Sequence, residues 1–541
     1  MNVSQPCFER VTVAATALAG SLLFLLLGPY SNFGAAGFLD PWYYTGYFTN
    51  FSYLMHHYGQ NYFVGRLPWI IPGLLAFRIA SPETASVILN VAIVSVSLIA
   101  LYWAVRWHYG RTPAVLACCA LATNPYFMSA VGWDYPDGPA IAYAFVALAF
   151  AVRPHGKPAW NTVRTAIFLT LSGLTNLSGL PMLACILVFV FWRHRHVPRE
   201  WTMDALHLAA GAAGTVAVLC PIAQVLVGKW TFFYWQIYQA MHTFGNPGFL
   251  EKMWGAGPAF LLSASRLLAP VLLLAAAPIL LWRRKGADVA WPAWISLAVC
   301  LGLYAIEEFV FHGVALRVPY HSSYLIVPVF FLAGVLLGEM GKLKTRWVAE
   351  AATLAIALPF TNIGGGLRGS AILLMILLVI GAMVERGAWK QFALIAMLFL
   401  ASALDPSITY MWDRPAGTNL QSFRSLMELQ DYLKSAVNPE RRVQFWVDDD
   451  EQSPLYYSAQ ALYLYMHNDF TKDLAAAPAA QIREELKSNA TLVHLTMHPE
   501  RMEARRTLLA GRGITTGNER TMRLPWTTVV LQDVTDLAGL R

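Results

Sequence analysis

The sequence predicts an α-helical polytopic membrane protein of about thirteen transmembrane helices, followed by a small C-terminal α/β domain outside the membrane. Three observations carry that prediction. Only 13% of the 541 residues are charged and 57% are hydrophobic, with a mean hydropathy of +0.46, whereas soluble domains carry about 25% charged residues. The charge is unevenly placed: residues 1–404 hold 24 Lys+Arg and 14 Asp+Glu, and residues 405–541 hold 15 and 18. The first 404 residues also break into a series of apolar stretches, while the remainder has an ordinary soluble composition. A soluble enzyme, a disordered chain and a collagen are excluded. The net charge of +7 lies in short loops between apolar stretches, which argues against nucleic acid as a partner.

A helix needs about 20 apolar residues to cross a core of about 30 Å. The stretches run approximately over 11–29, 84–105, 112–128, 138–152, 162–175, 177–192, 205–227, 259–282, 291–308, 322–340, 347–361, 370–384 and 389–404. The first reads as a retained helix and not a signal peptide, because its apolar run is long and only Arg10 flanks it. The pair across 162–192 reads as two helices or as one helix broken at Thr175-Asn176-Leu177-Ser178-Gly179.

Lys/Arg bias sets orientation. With the N-terminus inside, the inner loops carry 17 basic residues and the outer loops seven: Arg66, Arg78, Lys229, Lys252, Arg266, Arg317 and Arg368. The odd number of spans then places residues 405–541 outside. Two domains follow, a multi-span region over 1–404 and a soluble region over 405–541.

The long outer loops, 30–83 and 228–258, are rich in aromatic residues and read as interfacial segments. The outer acids are Asp40, Glu83, Asp134, Asp137, Glu251, Glu307 and Glu308. A charge beside apolar spans is costly, so each is a functional candidate. Asp40 sits in Leu39-Asp40-Pro41-Trp42-Tyr43-Tyr44 and reads as a turn residue or as a general base. Asp134 and Asp137 share the short loop Trp133-Asp134-Tyr135-Pro136-Asp137-Gly138. There Asp137 reads as a helix cap or as a second working carboxylate. Arg317 precedes the tenth span, and its planar guanidinium suits a phosphate. His312 and His321 lie nearby without metal-ligand spacing.

All six cysteines precede the composition break and show neither a disulfide framework nor a zinc spacing. In the soluble region, 443–447, 491–496 and 527–532 read as strands and 421–436, 454–467 and 499–511 as helices. The run Asp448-Asp449-Asp450-Glu451 reads as a solvated turn.

Taken in chain order, these motifs resemble those of the GT-C integral-membrane glycosyltransferases, of the protein O-mannosyltransferase, lipid A aminoarabinose transferase and lipopolysaccharide-core sugar transferase type. That family carries Asp-Glu-x-x-Tyr in its first outer loop. Asp40-Pro41-Trp42-Tyr43-Tyr44 matches the Asp and the aromatic, with Pro41 in place of the Glu. Pro136-Asp137-Gly138-Pro139 resembles the family's short Pro-Asp loop before the fourth span, and Arg317, Tyr320 and Leu325-Ile326-Val327-Pro328 its late Arg–Tyr and Leu-x-x-Pro features.

The resemblance implies a GT-C-like fold and an inverting hexosyl- or pentosyltransferase. It would move a sugar from a polyprenyl-phosphate donor to a glycan, lipid or protein acceptor of the cell envelope, with membrane lipid as surroundings. Asp40 would be the base and Asp137 the second catalytic carboxylate. Arg317 would contact phosphate, with Asp134, Tyr320 and His321 binding substrate. No cofactor or metal is assigned, and Pro41 in place of the Glu leaves a divalent cation open. The alternative is a transporter or flippase of lipid-linked sugars, for which internal repeats and mid-span acids would argue; the sequence shows neither.

The topology is testable by alkaline phosphatase fusions. A fusion after residue 420 should be active and one within 283–290 silent; a silent fusion after 420 overturns the odd span count.

Overall fold

The structure is a computed structural model. It describes residues 4–27, 39–122, 124–132, 135–244, 267–281, 289–311, 316 and 323–340, and, further on, 428, 431–432, 435–436, 443–447, 469–471, 478, 479–486, 490–496, 499–524 and 527–537. The first part is helical: α1 (Ser4–Leu27), α2 (Leu39–Tyr58), α3 (Leu67–Ile79), α4 (Pro82–Tyr109), α5 (Arg111–Ala122), α6 (Pro125–Gly132), α7 (Asp137–Val152), α8 (Pro158–Thr175), α9 (Leu180–Arg193), α10 (Pro198–Val227), α11 (Tyr234–Phe244), α12 (Leu268–Leu281), α13 (Ala290–Phe309) and α14 (Ile326–Met340). Prolines at the first positions of α4, α8 and α10 start helices where a missing N–H costs nothing. Gly228 closes α10 in the left-handed region at φ 76°.

Among the described residues, three helices are long and apolar enough to cross a membrane by length and composition: α4, α10 and α13. Shorter apolar helices run over Val11–Leu22, Leu67–Ile79, Arg111–Ala122, Asp137–Val152, Leu177–Arg193 and Ser323–Glu339. The expected spans at 347–361, 370–384 and 389–404 lie outside the described residues.

Two sequence expectations need correction. The single span expected over 112–128 is two helices, α5 and α6, because Pro125 has no N–H to continue the ladder. Asn124 caps the second helix by accepting from the Phe127 amide at 2.9 Å. The segment 30–83, expected to lie on the interface, instead contributes core: Tyr44, Tyr47 and Trp69 on α2 and α3 are buried. Burial of such tyrosines is tolerable because their hydroxyls find partners. Tyr47 accepts from Asn61 Nδ2 at 2.6 Å, and Tyr44 accepts from Arg66. The described part of 228–258 keeps an exposed apolar face, with Tyr234, Ile237, Tyr238 and Met241 on α11.

α4 packs against α1, α3, α5, α7 and α14, α7 against α8 and α9, α8 against α10, and α13 against α9 and α14. Small and hydroxylated residues bring these helices close, as expected where apolar solvent supplies no hydrophobic drive between them. Ser172 of α8 donates to the Ala140 carbonyl of α7 at 2.7 Å, and Thr165 to that of Ala147 at 3.4 Å. At the opposite end of α4 from Pro82, Glu9 of α1 accepts from Tyr102 at 2.6 Å, Arg106 Nε at 2.7 Å and Arg111 at 3.0 Å. That cluster fixes α1 to the end of α4 and the start of α5.

The C-terminal part holds a five-stranded sheet of order β2-β1-β3-β5-β4. β1 (Val443–Val447) runs parallel to β2 (Asp469–Thr471) and to β3 (Thr491–Thr496). β5 (Thr527–Asp536) runs antiparallel to β3 and to β4 (Thr515–Leu524). Helices α15 (Ala479–Leu486) and α16 (Met502–Gly511) accompany it. The expected strands at 443–447, 491–496 and 527–532 are present. β4 was not foreseen: it is an edge strand carrying Asn518, Glu519, Arg520 and Arg523, with register shifts that weaken any alternating pattern. The expected helix at 454–467 and most of that at 421–436, like the acidic run 448–451, lie outside the described residues.

A Cβ on Gly211 of α10 would come within 2.6 Å of the Val163 carbonyl oxygen and 2.7 Å of Ala166 Cβ on α8, whereas one on Gly214 meets nothing within 4 Å. Gly211→Ala should cost about 1–3 kcal/mol, read as a lower thermal midpoint in detergent, and Gly214→Ala should not lower it.

Candidate functional site

Asp137 is the first residue of α7, at the helix end where backbone N–H groups favour a negative charge. Its side chain is wholly buried. One carboxylate oxygen, Oδ1, accepts from Asn176 Nδ2 at 2.8 Å and from the Tyr324 hydroxyl. Asn176 Nδ2 lies 2.5 Å from that hydroxyl, so the three side chains close on one another. Asn176 occupies the break between α8 and α9, where its Oδ1 accepts from the Ser178 amide at 3.1 Å. Tyr324 lies in the turn that enters α14. Three chain segments therefore meet at one carboxylate. The other oxygen, Oδ2, is buried and has no hydrogen-bond partner among the described residues.

Further bonds hold the Asn176 turn. Tyr304 of α13 donates to the Ser178 carbonyl at 3.0 Å, and Gln236 of α11 to the Leu174 carbonyl at 2.9 Å. Helix α11 is thus tied to the turn that carries Asn176.

Beside this knot lies a buried cation. Arg66 precedes α3 and is 8% exposed. Its guanidinium lies 4.9 Å from the Tyr62 ring centre, 5.6 Å from Tyr44 and 5.9 Å from Tyr135, within the range of cation–π attraction. It donates to the Tyr44 hydroxyl. No carboxylate pairs with it among the described residues, and its Nε has no hydrogen-bond partner among them. Tyr135 stands two residues before Asp137, which brings the cation to the same end of α7. Asn61 shapes the loop that presents it, accepting from the amides of Phe63 at 3.0 Å and Val64 at 3.1 Å. Gly65 is required there: a Cβ would come within 2.6 Å of the Phe232 carbonyl oxygen.

Among the residues that the family resemblance assigns to the site, Asp137 is the one whose side chain the structure describes. It does not serve as the helix cap, since Pro136 holds that position. Asp40 lies in the first turn of α2, not in a loop, and nothing is described of its side chain. Asp134, Arg317, Tyr320 and His321 lie outside the described residues. Sequence reasoning passed over Arg66, Asn176 and Tyr324. Each carried a signal: Arg66 is one of the seven outer bases, Asn176 stands at the break in 162–192, and Tyr324 precedes the Leu-x-x-Pro run. Among the described residues no group of His, Cys, Asp and Glu is arranged to hold a metal.

No family model matches the chain, and no curated protein matches its sequence. Among solved structures it is similar to ArnT from Cupriavidus metallidurans in the apo state, at 15% identity over 98% of both chains with a TM-score of 0.52. The oligosaccharyltransferase AglB from Archaeoglobus fulgidus, solved with an inhibitory peptide and a dolichol-phosphate, is 12% identical over 96% of this chain and 74% of its own, with a TM-score of 0.44. The arabinofuranosyltransferase AftD from Mycobacteria is 12% identical over 98% and 42%, with a TM-score of 0.48. All three are GT-C glycosyltransferases, and the likeness to ArnT is one of fold.

The three-residue knot is testable by a double-mutant cycle. Tyr324→Phe and Asp137→Asn, alone and together, should show a coupling of about 0.5–3 kcal/mol in detergent unfolding. Additive effects would mean that the segments are held independently.

Proposed function

We propose that this chain is a membrane glycosyltransferase that moves a sugar from a polyprenyl-phosphate donor to a cell-envelope acceptor on the outer face of the inner membrane. The observation that carries the reading is a buried arginine and, at the same end of α7, a buried carboxylate oxygen, neither with a partner of opposite kind among the described residues. A buried charge needs a partner. The phosphate of a lipid-linked sugar supplies it for Arg66, and a guanidinium can hold two of its oxygens.

In this reading the acceptor hydroxyl attacks the anomeric carbon. A new C–O bond forms there, the bond from that carbon to the phosphate oxygen breaks, and the electron pair leaves with the lipid phosphate. Arg66 and Arg317 offset the charge that develops on the phosphate. The acceptor's proton passes to a carboxylate, for which Asp40 is the proposed base. Asp137, its Oδ1 pinned by Asn176 and Tyr324, orients the substrate through Oδ2. Asp134, Tyr320 and His321 complete the proposed substrate contacts. Residues 1–404 form the membrane transferase region, and residues 405–541 lie on the periplasmic side, where they face the acceptor.

Purified variants and a synthetic polyprenyl-phosphate sugar test this. Arg66→Ala should weaken donor binding by about 1.5–3 kcal/mol, the worth of a hydrogen bond to a charged group, with Arg66→Lys intermediate. Asp40→Asn should keep donor binding and lower turnover about 10²–10⁴-fold. Unchanged donor affinity in a folded Arg66→Ala protein overturns the phosphate assignment, and near-native turnover in Asp40→Asn overturns the base.

A further inference from the structure

At the other end of α4 and α7 lies an open groove of about 460 Å³ that the proposed reaction does not use. Its walls are almost entirely apolar, formed by Val96, Ile99, Trp103 and Trp107 of α4 and Phe150 of α7, and Arg153 stands at one end. Val96 and Ile99 are exposed. Eleven residues separate Val96 from Trp107, about 16 Å at 1.5 Å per residue. That is about one leaflet's share of a core of about 30 Å. The groove is separate from the candidate site: Asp137 and Arg153 stand at opposite ends of the 16-residue α7, about 24 Å apart.

The polar end is built. The Arg153 guanidinium lies 5.7 Å from the Trp107 ring centre, and that of Arg164 on α8 lies 5.5 Å from the Phe150 ring centre. Both rings line the groove. Neither arginine has a carboxylate partner among the described residues. The helix ends that carry these groups are fixed to one another. His108 Nε2 donates to the Val152 carbonyl at 2.7 Å, and Arg193 to the Ala151 carbonyl at 2.6 Å. The segment from Arg153 to Arg164 belongs to the basic side of the chain, which the Lys/Arg distribution assigns to the cytoplasm.

We propose that this groove binds an anionic phospholipid of the cytoplasmic leaflet, one acyl chain lying against Val96, Ile99, Trp103 and Phe150 and the phosphate held between Arg153 and Arg164. The length of the groove fits a chain confined to one leaflet. The arginines match the phosphate's charge, and tryptophan is the side chain that suits the depth where headgroup meets hydrocarbon. The bound lipid would brace α4 against α7, the helix whose other end carries Asp137. The proposal does not rest on the donor reading.

Native mass spectrometry of the whole chain in detergent tests it, with phosphatidylglycerol and phosphatidylcholine of the same acyl chains as probes. The unaltered protein should retain phosphatidylglycerol more tightly, by about fivefold for each arginine. Arg153→Gln/Arg164→Gln should remove that preference and leave phosphatidylcholine binding in place. Val146→Trp, which fills the groove, should lower binding of both lipids. Equal retention of the two lipids by the unaltered protein overturns the proposal, and this comparison needs no variant to fold. So does an undiminished preference in the double variant, or undiminished phosphatidylglycerol binding in Val146→Trp.

Discussion

A carboxylate removed from water costs several kcal/mol unless donors surround it, and Asp137 is wholly buried. Much of the helical arrangement near it follows from that constraint. The donors are Asn176 and Tyr324, so the break between α8 and α9 and the turn entering α14 must both reach the start of α7. The Asn176 turn is held in its own right by Tyr304 and Gln236, and through them α13 and α11 are tied to the same place. Among the described residues only Oδ1 is satisfied this way, and Oδ2 is buried without a hydrogen-bond partner.

Arg66 is managed by different means. Its charge is spread over the faces of three tyrosines and shared with one hydroxyl. Aromatic faces attract a cation without neutralising it, and no carboxylate pairs with Arg66 among the described residues. The tyrosines of α2 and of the loop after it therefore have a physical role besides packing: their faces surround a cation.

Much of the helical framework was legible in the sequence, because apolar runs and proline punctuation are local signals. Pro82, Pro158 and Pro198 mark helix starts that the structure keeps. Pro125 should have split 112–128 and was outweighed by continuous hydropathy. In the sheet, β1, β3 and β5 announce themselves through β-branched and aromatic residues. β4 does not, because an exposed edge is filled with charge. The site was half legible. Asp137 stood out as an acid among apolar residues, whereas Asn176 and Tyr324 are ordinary residue types whose meaning comes only from contacts across 39 and 187 positions. No local pattern encodes such separations. Arg66 was visible as a base but could not be told from an interfacial anchor until its burial was known.

The distance along the chain between Asp137 and Tyr324 also sets an order of events during synthesis. At about 5–20 residues per second, the ribosome adds the intervening 187 residues in about 10–40 s. Asn176 emerges within the first few of those seconds, so the carboxylate enters the membrane with one donor and waits for the other. A nascent chain that has not yet delivered α14 holds an incomplete site, however well its earlier helices are packed. A chain abandoned part-way through translation therefore leaves Asp137 with one of its two donors.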